Sequence, residues 1–445
     1  MEDFIKSAKK VLLGNKKKGY TLPTNNKLYP AQWNWDSGFI ALGYSHFKLK
    51  YALDEIKTLI RGQWKDGMIP HILFHDLNTN YYPNHSVWAC GNKIHSSGIT
   101  QPPILAIILK LILDKKRINN KDKAEFKKIV KGILKYHKWF IKFRDPNNSG
   151  LVSILHPWES GYDNSPLWDE PMSKVKIPKN LKYKRGDNKV VNPEYRPLDI
   201  DYDRYVTIKN HLRKNNYNPK KLYKASLFNV VDVGFNSIFL RANKDLLKLL
   251  NTFNLKSAEL ETYISRSENK IVKLYNHKKN IFFNIDLKNK KKINIPSITH
   301  YFILFADLKD KVLNNKIIKN LKKHSSKEKY LLSSVKPNHQ KFEEKRYWRG
   351  PVWINCNWII YQGLKNKNIK FAKQIKRKTI NLVKQKGFNE YFSCKTGKGF
   401  GATNFSWTAA LFLDLILEKK MTNYNWNYPT TCLLYTSDAA DEPMR

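Results

Sequence analysis

The chain has 445 residues, a hydrophobic fraction of 41% and a net charge of +44, so it has ample apolar material for a large core arranged as one big domain or two to three ordinary ones. The charge is mostly Lys, spread over many segments with no single binding motif, and Arg is scarce. Bidentate Arg is the commoner reader of bases and phosphates, so the charge reads as a solvated surface from AT-rich coding bias and excludes specific nucleic-acid recognition, leaving weak binding to polyanions at low salt. The four cysteines form no CxxC pair, so neither a zinc site nor a disulfide framework is suggested. Residues 1–19 are too Lys-rich for a signal peptide, and the longest apolar run, from Ile104 to Leu113, is broken by Lys110 and too short to span a bilayer. Cytoplasmic location is the expectation.

Residues 1–20 read as a short basic helix, with Phe4, Ile5, Ala8, Val11 and Leu12 at helical spacing. An aromatic loop, Tyr29 to Gly38, leads through Phe39–Gly43 into a helix carrying Leu53, Ile56, Leu59 and Ile60. A second loop covers Gln63 to His71. Pro102 and Pro103 open an apolar helix from Ile104 to about Leu113, since proline suits a first turn that needs no amide donor. Phe126, Ile129, Ile133, Tyr136, Trp139 and Phe140 mark the next helix. Segment 170–225 is polar, basic and low in apolar periodicity, and reads as a lid-like excursion. Helices are predicted again over 230–250, 252–276, 298–305, 314–323, 357–364, 369–385 and 408–419. Period-two alternation is nearly absent, and Asn280–Leu287 is the best strand candidate. Helical hairpins with aromatic–acidic loops between them suit an all-α toroid of helix pairs around a cleft, one domain over residues 1–430. The tail 431–445 has no Lys, is locally acidic and resembles translated sequencing-adapter read-through, so it is expected to be non-native.

The stretch from Trp158 to Glu170 stands apart. It holds Glu159, Asp163, Asp169 and Glu170 among aromatics and small residues, without a Lys. A similar vocabulary returns at Asn389-Glu390-Tyr391-Phe392. Glycosidic bonds are cleaved by a pair of carboxyl groups, one protonating the leaving oxygen and the other activating water or attacking directly. Asp163 beside Trp158, Tyr162 and Trp168 has the apolar surroundings that raise an acid's pKa, and Glu390 is set among Phe388, Tyr391 and Phe392.

Six strings extend this reading: Trp33-Asn34-Trp35-Asp36-Ser37-Gly38-Phe39, Gln63 to His71, Ser97 to Pro103, Glu159-Ser160-Gly161-Tyr162-Asp163-Asn164-Ser165, Tyr347 to Asn355, and Asn404 to Ala409. In that order they resemble family 63 of the glycoside hydrolases, over residues 20 to 420, and within it the hydrolases of mannosylglycerate and glucosylglycerate. The resemblance implies an (α/α)6 barrel and an inverting α-glycosidase acting on a small sugar substrate without cofactor or metal. It implies Asp163 as general acid and Glu390 as general base, with their carboxyls about 6.5–9.5 Å apart to admit a water. By the same matching, Tyr29, Trp33, Asp36, Trp348, Trp353 and Asn404 line the pocket of the cleaved sugar, and Gln101, Arg196, Tyr202 and Tyr347 surround the leaving group. An Arg with Tyr hydroxyls clamps a carboxylate, which favours an acidic aglycone such as glycerate. The Lys-rich segments 170–190 and 288–292 depart from the family and leave the aglycone open. An oligosaccharide α-glucosidase of the same family and a catalytically dead polyanion-binding barrel are the alternatives. Glucose against mannose, and a homo-oligomer against a monomer, are not decided by the sequence.

Several residues carry plainer expectations. Trp139, Trp158 and Trp358 are expected in the core, Arg349 in a structural ion pair, and Asp169 and Glu159 as groups that orient neighbours. Asp36 and Asp66 also suit capping the helices after them, with Asp36 the more apt of the two to touch sugar. His71 and His75 have the i, i+4 spacing of helical metal ligands but no HExxH glutamate, so a metal site is not expected.

Overall fold

In a computed structural model of the chain, residues 1–91, 93–115, 120–326 and 328–418 are described; the tail 431–445 lies outside them. The helices in chain order are α1 (Glu2–Gly14), α2 (Asn34–Ser45), α3 (Leu49–Arg61), α4 (His85–Trp88), α5 (Leu105–Lys115), α6 (Asn120–Arg144), α7 (Asp169–Ser173), α8 (Asp199–Lys214), α9 (Pro219–Ala225), α10 (Val233–Thr252), α11 (Ala258–Ile271), α12 (Lys311–Ser325), α13 (Ile354–Leu364), α14 (Ile369–Lys386) and α15 (Ser406–Leu417).

Two kinds of helix alternate. Every residue of α2 is buried, and nearly every residue of α13 and α15. They carry no Lys or Arg, and Asp36 and Asp414 are their only charged residues, as suits helices surrounded by neighbours. By contrast, α3 buries Ala52, Leu53, Ile56 and Leu59 along one stripe and exposes its lysines, and α14 does the same with Phe371, Ala372, Ile375, Leu382 and Val383. The more deeply buried segments pack in a closed ring: α2 on α5, α5 on α10, α10 on the 3-10 helix Ile298–Leu304, that helix on α13, α13 on α15, and α15 back on α2. The amphipathic helices form an outer layer, with α1 on α15, α3 on α2, α6 on α5, α11 on α10, α12 on the 3-10 helix and α14 on α13. Outer and inner segments therefore alternate six times along the chain, which is an (α/α)6 barrel.

Some sequence expectations need correction. Trp33–Gly38 is not all loop: α2 starts at Asn34, so Trp35 and Asp36 occupy its first turn. A helix buried on every side has no polar face to mark it. The segment 298–305 is helical but 3-10. Segment 170–225, read as lacking periodicity, contains the sixteen-residue α8. Its buried side includes Tyr202, Tyr205, Val206, Ile208 and Leu212, with Lys209 and Thr207 among them, which blurs the apolar stripe. Short strands of two or three residues also occur, including Ile281–Phe282 and Asn284–Asp286 within the expected 280–287; at that length no alternation can show.

The loops that enter the inner segments meet at one end of the ring. Gln32–Trp33 pairs with Ile72–Leu73 just before α2, Gln101 precedes α5, Trp348 to Trp353 precede α13, and Phe405 precedes α15. Several inner-helix N-termini, the positive ends of their dipoles, thus share an end with the carboxyl groups described next.

Candidate active site

A cleft of about 620 Å³, counted to its open mouth, sits at this end of the ring. Its described wall contains both carboxyls singled out from the sequence, Asp163 and Glu390, together with Tyr29, Trp33, Asp36, Gln101, Arg196, Tyr202, Tyr347 and Trp348. Pro23, Trp35, His71, Tyr81, Trp158, Gly161, Phe405 and Trp407 complete it.

Glu390 is held from two sides. The Tyr29 hydroxyl donates to Oε1 at 2.8 Å, and the Ala402 amide donates to Oε2 at 2.9 Å. The hairpin of Tyr391–Phe392 with Gly399–Phe400 brings Ala402 across from it, and the Glu390 amide returns a hydrogen bond to the Ala402 carbonyl at 2.8 Å. Burial raises the Glu390 pKa, while Arg196 and these two donors oppose the rise.

Asp163 follows a left-handed turn at Gly161 (φ 79°), where a Cβ would lie 2.6 Å from the Trp35 ring. Only glycine lets the loop pass so close to α2. The backbone carbonyl of Asp163 accepts from the Tyr205 hydroxyl at 2.8 Å, which ties the loop to α8. Upstream, buried Glu159 is paired with Arg144 through two hydrogen bonds, 2.9 and 2.6 Å, and also accepts from the Leu155 amide at 2.7 Å. Losing one partner of such a buried pair costs about 3–5 kcal/mol, so Glu159 fixes the loop, as expected. Burial pushes the Asp163 carboxyl up to about 7; Arg196 and its own amide oppose this, and the charges of Glu390 and Asp187 add to it. Asp36 is pushed up to about 8, again chiefly by burial, with Glu390 contributing. Three carboxyls buried in one cleft cannot all be ionised cheaply near neutral pH.

Arg196 reaches the cleft from the segment before α8. Its Nη1 donates to the Tyr29 hydroxyl at 2.9 Å, and its guanidinium lies 4.4 Å from the centre of the Tyr347 ring. Its Nε donates to Asp187 at 2.9 Å.

Two expected members stand elsewhere. Trp353 is buried behind the wall, stacked on Trp348 at 3.7 Å, and donates its indole N–H to the Tyr347 carbonyl at 3.1 Å. It supports the platform and is not among the wall residues. Asn404 is exposed, with a positive φ of 49°, and its carbonyl accepts from Asn15 at 2.8 Å. Trp158, expected in the core, is instead part of the wall, roughly parallel to His71. Trp139 and Trp358 are buried as expected, donating to Asp66 and Asp414. Arg349 makes its expected ion pair, a two-pronged bond to Asp169 at 2.8 and 3.0 Å. Asp66 accepts from the Met68 amide as well as Trp139.

His71 and His75 flank the strand Ile72–Phe74, so their spacing does not put them on one helix face. His71 lines the cleft, held neutral by burial, and His75 bonds to Gln32 at 3.0 Å. Among the described residues no group of three or more His, Cys, Asp or Glu is placed to hold a metal ion, and no helix is long and apolar enough to cross a membrane.

Residues 29–408 match the family model described as the mannosylglycerate hydrolase MGH1-like glycoside hydrolase domain. The chain belongs to this family. It is a glycoside hydrolase, and the cleft just described is the candidate site of its chemistry. Among curated relatives, a mannosylglycerate hydrolase of Thermus thermophilus is 39% identical over 410 residues, covering 91% of this chain and 99% of the relative. A glucosylglycerate hydrolase of Mycolicibacterium hassiacum is 28% identical, covering 87% and 92%. Among solved structures, the family 63 mannosylglycerate hydrolase from a second strain of Thermus thermophilus, in complex with Tris and D-glycerate, aligns with a TM-score of 0.89 at 38% identity, covering 92% of this chain and 99% of that one.

Missed by sequence reasoning were Tyr81, His71 as a wall residue, Trp158, Trp407 and Asp187. The string Asn404 to Ala409 already contained Trp407, and Gln63 to His71 contained His71. Nothing local marks Tyr81, and although Asp187's partners Arg185, Arg196 and Tyr202 lie within fifteen residues of it, no pattern in that basic stretch pairs them.

Proposed function

We propose that this glycoside hydrolase cleaves a small α-glycoside of an acidic aglycone, α-mannosylglycerate or α-glucosylglycerate, with inversion. Asp163 is the general acid and Glu390 the general base. The observation that carries this reading is the contrast between the two carboxyls within one cleft. Glu390 receives a hydrogen bond on each oxygen, which opposes the rise that burial imposes and favours the ionised form a base needs. Asp163 is pushed up to about 7 by burial, so a proton is available for the leaving oxygen near neutral pH. Arg196, with the hydroxyls of Tyr29, Tyr202 and Tyr347 beside it, suits the carboxylate of an aglycone. The names of the relatives, and the D-glycerate in the similar solved structure, agree with that chemistry.

In the proposed reaction the sugar lies against Trp33, Trp348 and Asp36. Asp163 gives its proton to the glycosidic oxygen as the bond to the anomeric carbon breaks. Glu390 takes a proton from a water on the opposite face as that water bonds to the same carbon. The products are the free sugar and glycerate. Each glycerate glycoside is offered to the purified protein, and the first-formed anomer is read by proton NMR. The β-anomer is expected. An α-anomer formed first overturns inversion, and no hydrolysis of either compound overturns the substrate.

A further inference from the structure

Asp187 is the least expected acidic residue near the cleft. It lies in the Lys-rich segment 170–190, and its side chain is only 8% exposed. Its Oδ2 accepts from Arg196 Nε at 2.9 Å, Arg185 Nη2 at 2.9 Å and the Tyr202 hydroxyl at 3.2 Å, and its Oδ1 accepts from Arg185 Nε at 3.0 Å. Arg185 in turn lies over the Tyr202 ring, 3.8 Å from its centre, and donates to Asp199 and the Pro197 carbonyl. Despite burial, which acts the other way, the two guanidiniums hold the Asp187 carboxyl well below the usual range, so it is a fixed negative charge.

The geometry gives that charge a task. Arg196 presents its Nε edge to Asp187 and its Nη1 to the Tyr29 hydroxyl, which donates to Glu390. A guanidinium with one edge pinned has its other nitrogens aimed without free rotation. We propose that Asp187 is the positioning residue of the leaving-group clamp, orienting Arg196 and Tyr202 for a carboxylate on the aglycone. This rests on the acidic-aglycone reading above. Asp187 acts through Arg196 and is not itself a catalytic group.

The experiment compares the wild type, Asp187→Asn and Asp187→Glu on a glycerate glycoside and on the matching glycerol glycoside, which lacks the carboxylate. Asp187→Asn is expected to raise KM for the glycerate glycoside about tenfold or more, with a far smaller change for the glycerol glycoside. Asp187→Glu, which keeps the charge, is expected to recover most of that loss. In an Arg196→Gln background, Asp187→Asn is expected to add no further KM effect. The pH profile supplies a readout that mere structural support would not move. Asp163 faces Arg196, Glu390 and Asp187, with Asp36 in the same cleft and the Tyr81, Tyr205 and Tyr347 hydroxyls around it. Removing the Asp187 charge lets Asp163 ionise at lower pH, so the alkaline limb of kcat moves down. Equal KM changes on both substrates, or a tighter KM for the glycerate glycoside, overturn the proposal; the latter makes Asp187 a competitor for the clamp. If Asp187→Asn does not fold, Arg185→Gln frees the same carboxylate from its second guanidinium, and the same selective rise is expected. Wild-type inactivity on both glycerate glycosides instead overturns the substrate reading, and this proposal with it.

Discussion

Gly401 stands where any side chain would strike the Glu390 carboxylate: a Cβ built on it lies 2.3 Å from Oε2. Its φ of 69° is also one that L side chains rarely adopt. The glycine thus permits the hairpin to close over the carboxylate and place the Ala402 amide on it. Gly401→Ala is expected to displace Glu390, lowering kcat by about a hundredfold, with a destabilisation of about 1 kcal/mol or more from the backbone alone. Steady-state kinetics and urea unfolding on the same preparation check both parts.

Asp163→Asn and Glu390→Gln are each expected to reduce turnover by about a thousandfold or more while leaving the fold intact. Near-wild-type circular dichroism with residual activity above a tenth would remove either residue from its role. On the proposed reading Asp163 must be protonated to act as the acid, and its carboxyl is pushed up to about 7. The alkaline limb of the kcat profile is therefore expected near that pH, falling as pH rises.

Tyr29→Phe deletes the donor to Glu390 Oε1 and leaves the ring. That donor holds the base's pKa down against burial, so its loss raises the pKa. If Glu390 is the base, as proposed, it must be ionised to work, so the acid limb of kcat/KM is expected to move to higher pH, with about a tenfold loss of rate at neutral pH. An acid limb that stays in place would show that the hydroxyl does not reach the carboxylate in solution.

Glu55 is a buried carboxyl outside the cleft, accepting from Ser37 at 2.9 Å and Gln32 at 3.3 Å. Burial pushes it from 4.5 to about 8. A carboxyl whose folded pKa is raised contributes stability that is present below its unfolded pKa and lost as pH rises through the folded one. Stability from urea unfolding is expected to decline between about pH 5 and pH 8, and Glu55→Gln to flatten that decline. Asp36, Asp163 and Asp232 are raised in the same sense, so some slope should persist in the variant.

Much of this was legible in the chain itself. The outer helices announce themselves by stripes such as Ala52, Leu53, Ile56 and Leu59, because one face meets protein and the other water. Asp163 stands out as an acidic residue in Lys-free aromatic company within a Lys-rich chain, and Glu390 as one set between Phe388 and Tyr391-Phe392. The local strings around them also sufficed to indicate the family, since loops that carry chemistry keep their residue types in a fixed order.

Tertiary structure alone decided which groups face one another. Tyr29 and Glu390 come from opposite ends of the chain and meet at 2.8 Å, with Arg196 joined to them through the Tyr29 hydroxyl. Trp158 becomes a wall and Trp353 a backing layer, although both sit in equally aromatic strings. Sequence periodicity reports whether a side chain meets water or protein, a local property repeated every few residues. Which protein group it meets depends on how the ring of helices closes, and that is fixed by packing among segments hundreds of residues apart.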